Sequence, residues 1–153
     1  MRTFRLYTIK ARGARPKSLL YQHKMRLLSW ASLDEAVFRL AAEFEGRAFN
    51  GVYGVPKSGT ILATVLANYL ELPTLDSPEE CSIIVDSIYS TGSTLEKYKD
   101  IFGCSYAVWI TRKKPYWYTA VEYTVKKEWV VFPWECPIYS AKERDSYYSR
   151  VIR

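Results

Sequence analysis

The segment Ile83-Ile84-Val85-Asp86-Ser87-Ile88-Tyr89-Ser90-Thr91-Gly92-Ser93-Thr94-Leu95 sets an apolar run, an acid and a loop of small hydroxylated residues in series. The run from Ser82 to Asp86 reads as a strand buried on both faces. Gly92 permits a tight turn in which successive main-chain amides converge on one anion. Thr91, Ser93 and Thr94 add hydroxyl donors, and a helix beginning near Thr94 would add the positive end of its dipole. Ser90 to Thr94 therefore suit a phosphate monoester. Asp86, at the expected strand end, is placed for sugar hydroxyls or a hydrated metal ion.

The surrounding pattern supplies the elements that must hold this loop. Ser32-Leu33-Asp34-Glu35 reads as a capping box opening a helix, with Leu33, Val37, Leu40, Ala41 and Phe44 on one face and an end near Gly46. Gly51 to Val55 reads as a short buried strand. Pro56-Lys57-Ser58-Gly59-Thr60 is a loop opening a second helix, whose apolar face is Ile61, Leu62, Val65, Leu66, Tyr69 and Leu70. Pro73 to Glu80 is a short connection. A third helix is expected from Leu95 to about Phe102, stopped by Gly103, followed by a buried strand from Tyr106 to Ile110. Tyr123-Thr124-Val125 and Trp129 to Phe132 are shorter strand candidates, and Ala141 to Arg153 a helix or tail. Alternating helices and strands of this kind predict an α/β fold: an open, mostly parallel twisted sheet with helices on both faces. In such sheets ligands bind beyond the carboxyl ends of the strands.

Composition narrows the classes further. The chain of 153 residues has the size of one domain. No apolar run approaches the ~20 residues a membrane span needs, and no apolar leader follows Arg2 and Arg5, so a cytoplasmic protein is expected. Cys81, Cys104 and Cys136 are widely spaced and His23 is the only histidine, which argues against a zinc site or a disulfide framework. Residues 1–28 carry eight basic side chains and no acid, whereas the remainder has 14 basic and 16 acidic residues. This basic segment reads either as a solvated N-terminal extension or as a patch for phosphate, nucleic acid or an acidic partner. Within it, Phe4, Leu6 and Thr8 alternate like a strand, and Gly13 and Pro16 mark a turn. The expected division is an extension at 1–28 and a domain at 29–153.

The stretch ending in Val85-Asp86, with Thr91-Gly92 and Thr94, resembles the phosphoribosyl pyrophosphate motif of type I phosphoribosyltransferases. That motif is an apolar run, two adjacent acids, three variable residues and T-G-x-T; here the second acid is Ser87, and Ser90 precedes the Thr. Gly54-Val55-Pro56-Lys57-Ser58-Gly59 looks like the family's pyrophosphate loop. Trp109 to Pro115 and Glu128 to Glu135 resemble the base-binding half of xanthine-guanine and archaeal-type purine phosphoribosyltransferases. The resemblance implies transfer of ribose 5-phosphate from phosphoribosyl pyrophosphate to a purine-type nucleobase, with Mg2+ as cofactor. It implies Asp86 and Ser90 at the reacting centre, and Ser90, Thr91, Gly92, Ser93 and Thr94 on the phosphate. Lys57, Ser58 and Gly59 would meet pyrophosphate, Lys114, Trp129 and Val130 the base, and Asp86 and Glu135 the metal. The family's lid hairpin has no room in the eight residues from Pro73 to Glu80. A non-catalytic nucleotide-binding or regulatory module on the same fold is the alternative, with the basic arm on nucleic acid or a protein partner. The exposed aromatic content suits a homodimer.

Overall fold

A computed structural model describes residues 24–125 and 128–151 of the chain. The strand and turn expected between Phe4 and Pro16 lie outside the described residues. In chain order the elements are β1 (Met25–Leu27), α1 (Trp30–Phe44), β2 (Val52–Gly54), α2 (Ser58–Leu70), β3 (Thr74–Leu75), β4 (Ile83–Tyr89), a 3-10 turn (Leu95–Tyr98), β5 (Ser105–Thr111), β6 (Thr119–Tyr123), β7 (Trp129–Val131) and α3 (Pro137–Val151). Five strands form a parallel sheet in the order β3-β2-β4-β5-β6. A parallel two-stranded ribbon joins β1 to β7, so Met25–Leu27, within the stretch expected as extension, pair with the body of the domain.

Strand alternation divides the core between the sheet's faces. Val52, Ile83, Val85, Ala107 and Trp109 pack with the buried stripes of α1 and α2. Tyr53, Ile84, Tyr106, Val108 and Tyr118 pack on the other face, around Leu95. That second face is covered by the 3-10 turn and a cluster of aromatic side chains. The expected helix from Leu95 to Phe102 is only this turn of four residues. Gly92 and Gly103, both at positive φ, bound the segment on either side.

Three further expectations shift. The cap of α1 is Ser29, whose hydroxyl accepts from the Ser32 amide at 3.1 Å; Ser32 lies inside the helix, and Glu35 pairs with Arg39. The buried stripe of α2 is Gly59, Leu62, Ala63, Leu66 and Ala67, leaving Tyr69 exposed. Small residues on that stripe let the helix lie close to the sheet. The connection after α2 contains a strand, β3, paired to β2 at Val52↔Thr74 and Tyr53↔Leu75.

Candidate functional site

Register creates the cleft. β2 follows β4 only as far as Gly54↔Val85, whereas β4 stays paired with β5 as far as Tyr89↔Thr111. Asp86 is therefore within β4 rather than at its end. The side of β4 beyond Val85 is left free by β2, which turns into the loop at Pro56 and Lys57; the peptide between those two residues is cis. The gap is a cleft of about 280 Å3 lined by Pro56, Ser58, Asp86, Ser87, Ser90, Thr91, Gly92 and Thr94, with Tyr89 and Leu95 among its apolar walls.

Two glycines let the α2 end of the cleft close up. A Cβ on Gly54 would overlap the Gly59–Thr60 backbone, and one on Gly59 would come within 2.7 Å of the Val85 carbonyl oxygen. The start of α2 thus sits against Asp86. The Ser58 and Ser87 hydroxyls lie 2.5 Å apart across this junction, joining the loop after β2 to the strand that carries the acid. Asp86 is 9% exposed. Burial pushes its carboxyl up to about 6, although the Ser87 amide, donating to Oδ1 at 2.7 Å, pulls the other way.

The loop after β4 is an open turn. Ser90, Thr91, Ser93 and Thr94 are exposed, and Gly92 is buried at φ +94°. The Thr91 hydroxyl contacts that of Ser93 at 3.0 Å and accepts from the Ser93 amide at 3.3 Å. The amides of Ser90, Thr91 and Gly92 have no hydrogen-bond partner among the described residues. With no long helix following, these amides and hydroxyls, rather than a helix dipole, are what the loop offers an anion. Beneath it, the Tyr89 hydroxyl donates to Glu96 at 2.7 Å, and burial with this bond pushes the phenol up to about 12, so it remains a donor. Tyr89 stacks on Tyr118 with centroids 4.5 Å apart, and Tyr118 meets the buried Thr111 hydroxyl at 2.7 Å.

Among the residues singled out in the sequence, the structure brings Asp86, Ser58, Ser90, Thr91, Gly92 and Thr94 to one cleft. Gly59 backs it, and Lys57 is exposed on the turn ahead of α2. Lys114 is exposed in the loop between β5 and β6. The Trp129 indole donates to Ser140 at 2.8 Å and its ring meets Tyr147 and Tyr148 of α3. Val130 packs at the margin of the helix-side core. Glu135 Oε2 accepts from the Phe132 amide at 2.8 Å, and burial raises its carboxyl above the ordinary range. Among the described residues, no three acidic, histidine or cysteine side chains cluster as a metal site. The sequence reading passed over Lys113, whose ammonium donates to the Thr91 carbonyl at 2.7 Å. Nothing next to it in sequence signals this contact, because Thr91 lies in the loop after a different strand.

No family model matches the sequence, and no curated protein does. Solved structures do match the fold. A purine phosphoribosyltransferase from Pyrococcus horikoshii superposes with a TM-score of 0.62 at 23% identity, over 73% of this chain and 95% of that one. A xanthine-guanine-hypoxanthine phosphoribosyltransferase from Helicobacter pylori gives 0.60 at 16%, over 78% and 99%. A hypothetical protein from Neisseria gonorrhoeae with bound ppGpp gives 0.60 at 16%, over 81% and 96%. The chain has the type I phosphoribosyltransferase fold.

Proposed function

We propose that this chain is a phosphoribosyltransferase that joins ribose 5-phosphate, taken from phosphoribosyl pyrophosphate, to a purine-type base. The observation that carries the reading is the cleft in which a buried acid on β4 faces a turn with three amides unpartnered among the described residues. Ser90 to Thr94 would hold the 5-phosphate, and Asp86 the ribose hydroxyls. Lys57, Ser58 and Gly59 would face pyrophosphate, and Lys114, Trp129 and Val130 the base. A cationic donor reads a ring carbonyl, and an aromatic face reads a flat heterocycle.

In the reaction the bond from the anomeric carbon to the pyrophosphate oxygen breaks and its electron pair leaves with pyrophosphate. A lone pair on a base nitrogen forms the new bond, and that nitrogen's proton passes to water. The protein's contribution is positioning and electrostatic stabilisation of an oxocarbenium-like sugar. Magnesium binds through one or two carboxylates together with substrate phosphates. One carboxylate, Asp86, lines the cleft, so the donor set fits an ion that arrives on the pyrophosphate. The resemblance would add Glu135 as a second ligand; its carboxylate caps the Phe132 amide and is not among the residues lining the cleft. The ion would supply charge neutralisation of the leaving group.

Ser87 favours a second reading, a nucleotide-binding module without turnover. It stands where the resemblance places a second acid, and its hydroxyl is engaged by Ser58. The ppGpp held by the Neisseria protein is in keeping with a nucleotide ligand on this fold. Calorimetric titration with phosphoribosyl pyrophosphate and with purine monophosphates, with and without magnesium, followed by a base-panel turnover assay, separates the two. Binding with turnover supports the enzyme. Tight nucleotide binding without turnover supports the module, and no binding of either ligand class removes both. A cytoplasmic site of action, a homodimer and a nucleic-acid partner for residues 1–28 complete the proposal. Exposed Trp30, Phe38 and Tyr139 offer apolar surface for self-association, and among the described residues no helix is long and apolar enough to cross a membrane.

A further inference from the structure

Lys113 belongs by sequence to the loop after β5, yet its ammonium lies on the loop after β4. Its backbone is pinned from below. The Thr111 hydroxyl lies 2.7 Å from the Lys113 carbonyl and 3.2 Å from its amide, and the Tyr118 hydroxyl also reaches that carbonyl, at 3.3 Å. Thr111 is fully buried, so the root of the lysine is fixed to the core. From there Nζ reaches the Thr91 carbonyl at 2.7 Å and passes 5.9 Å from the Tyr89 ring centroid. A trans peptide is planar, with its C=O and N–H pointing in opposite directions. Holding the Thr91 carbonyl therefore sets the direction of the Gly92 amide, which has no partner among the described residues and belongs to the cleft wall.

We infer that Lys113 is a positioning residue of the anion site: it turns the Gly92 amide away from itself and toward a phosphate monoester, and its positive charge, on the far side of that peptide, adds a longer-range attraction. The inference rests on the phosphate-loop reading above. It also couples the β5 loop, expected to face the base, to the loop that holds the sugar phosphate.

The test uses the full chain and ribose 5-phosphate as the probe, with affinity measured by calorimetry at two salt concentrations. Lys113→Met is expected to weaken binding about tenfold or more, the size of a lost charge-assisted hydrogen bond, and to flatten the salt dependence. It should also shift the Gly92 amide resonance in the ligand-free protein. Lys113→Arg should recover most of the affinity. Lys97→Met, which removes an exposed charge from the neighbouring 3-10 turn, should change affinity less than twofold. Equal losses from Lys113→Met and Lys97→Met, or an unmoved Gly92 resonance, overturn the inference and leave the phosphate loop intact. Failure of the unmodified chain to bind ribose 5-phosphate overturns the phosphate-loop reading and this inference with it.

Discussion

Asp86 is kept in an environment that opposes its own ionisation. Burial lifts its carboxyl from 3.8 in the unfolded chain to about 6 in the fold. Between those two values the folded chain keeps a proton that the unfolded chain releases. Stability from this residue is therefore full below about pH 4 and declines as pH rises toward 6, after which the loss is constant. A shift of about two units corresponds to a penalty on the order of 3 kcal/mol at neutral pH. Asparagine keeps the acceptor for the Ser87 amide and removes the charge. Asp86→Asn is thus expected to resist urea better than the natural chain at pH 7.5, with the gap closing by about pH 4. On the proposed reading, the same substitution should weaken binding of phosphoribosyl pyrophosphate. A gap of equal size at both pH values would show that desolvation of the charge is not what sets the stability at this position.

At the level of elements, the turn after β4 depends on a glycine for two separate reasons. Gly92 has φ +94°, and a Cβ there would overlap the Tyr89 hydroxyl and lie 2.8 Å from Glu96 Oε1. Gly92→Ala must either break the Tyr89–Glu96 bond or reshape the turn. It is expected to cost roughly 1–3 kcal/mol in denaturant unfolding and to reduce ribose 5-phosphate affinity at least tenfold. Near-normal affinity in a destabilised variant would place the anion elsewhere. The start of α1 tests a simpler point. The Ser29 hydroxyl oxygen accepts the capping bond, and the Ser32 amide donates it. Ser29→Ala should cost about 1 kcal/mol and Ser32→Ala only a few tenths, by thermal or chemical unfolding. The sequence pointed to Ser32 alone, because Glu35 three residues later completes a capping box. The structure puts the extended backbone and the capping bond at Ser29, and the first helical residue, Trp30, packs its ring toward Trp134 at 6.4 Å.

Across the molecule, what could be read from residue order was whatever depends on neighbours in sequence. The buried strands β4 and β5, the α1 stripe and the hydroxylated turn all have local signatures. The cleft has none, because it arises from β2 ending opposite Val85 while β4 runs on to Tyr89, a relation between distant segments. Lys113 escaped notice for the same reason, since its partner Thr91 is on another strand's loop. So did the β1–β7 ribbon, in which a strand from the basic stretch, Met25–Leu27, lies parallel to the distant Trp129–Val131. One bidentate pair links this ribbon to the edge of the main sheet: Arg26 on β1 donates through both terminal nitrogens to the Glu122 carboxylate on β6. The hydrogen bond to Glu122 is the main reason the Arg26 guanidinium is held above its ordinary value. Both side chains keep about a third of their surface exposed, so solvent screens the pair, and a coupling of about 1 kcal/mol is expected. A double-mutant cycle with Arg26→Met and Glu122→Gln measures it by urea unfolding, and the coupling should shrink in high salt. The ribbon also carries Trp129 and Val130. On the proposed reading, breaking the pair should therefore raise the Michaelis constant for the base while leaving ribose 5-phosphate affinity unchanged. A coupling near zero, with both affinities intact, would mean that contacts of β7 with α3 and the tryptophan cluster hold the ribbon without help from the charges.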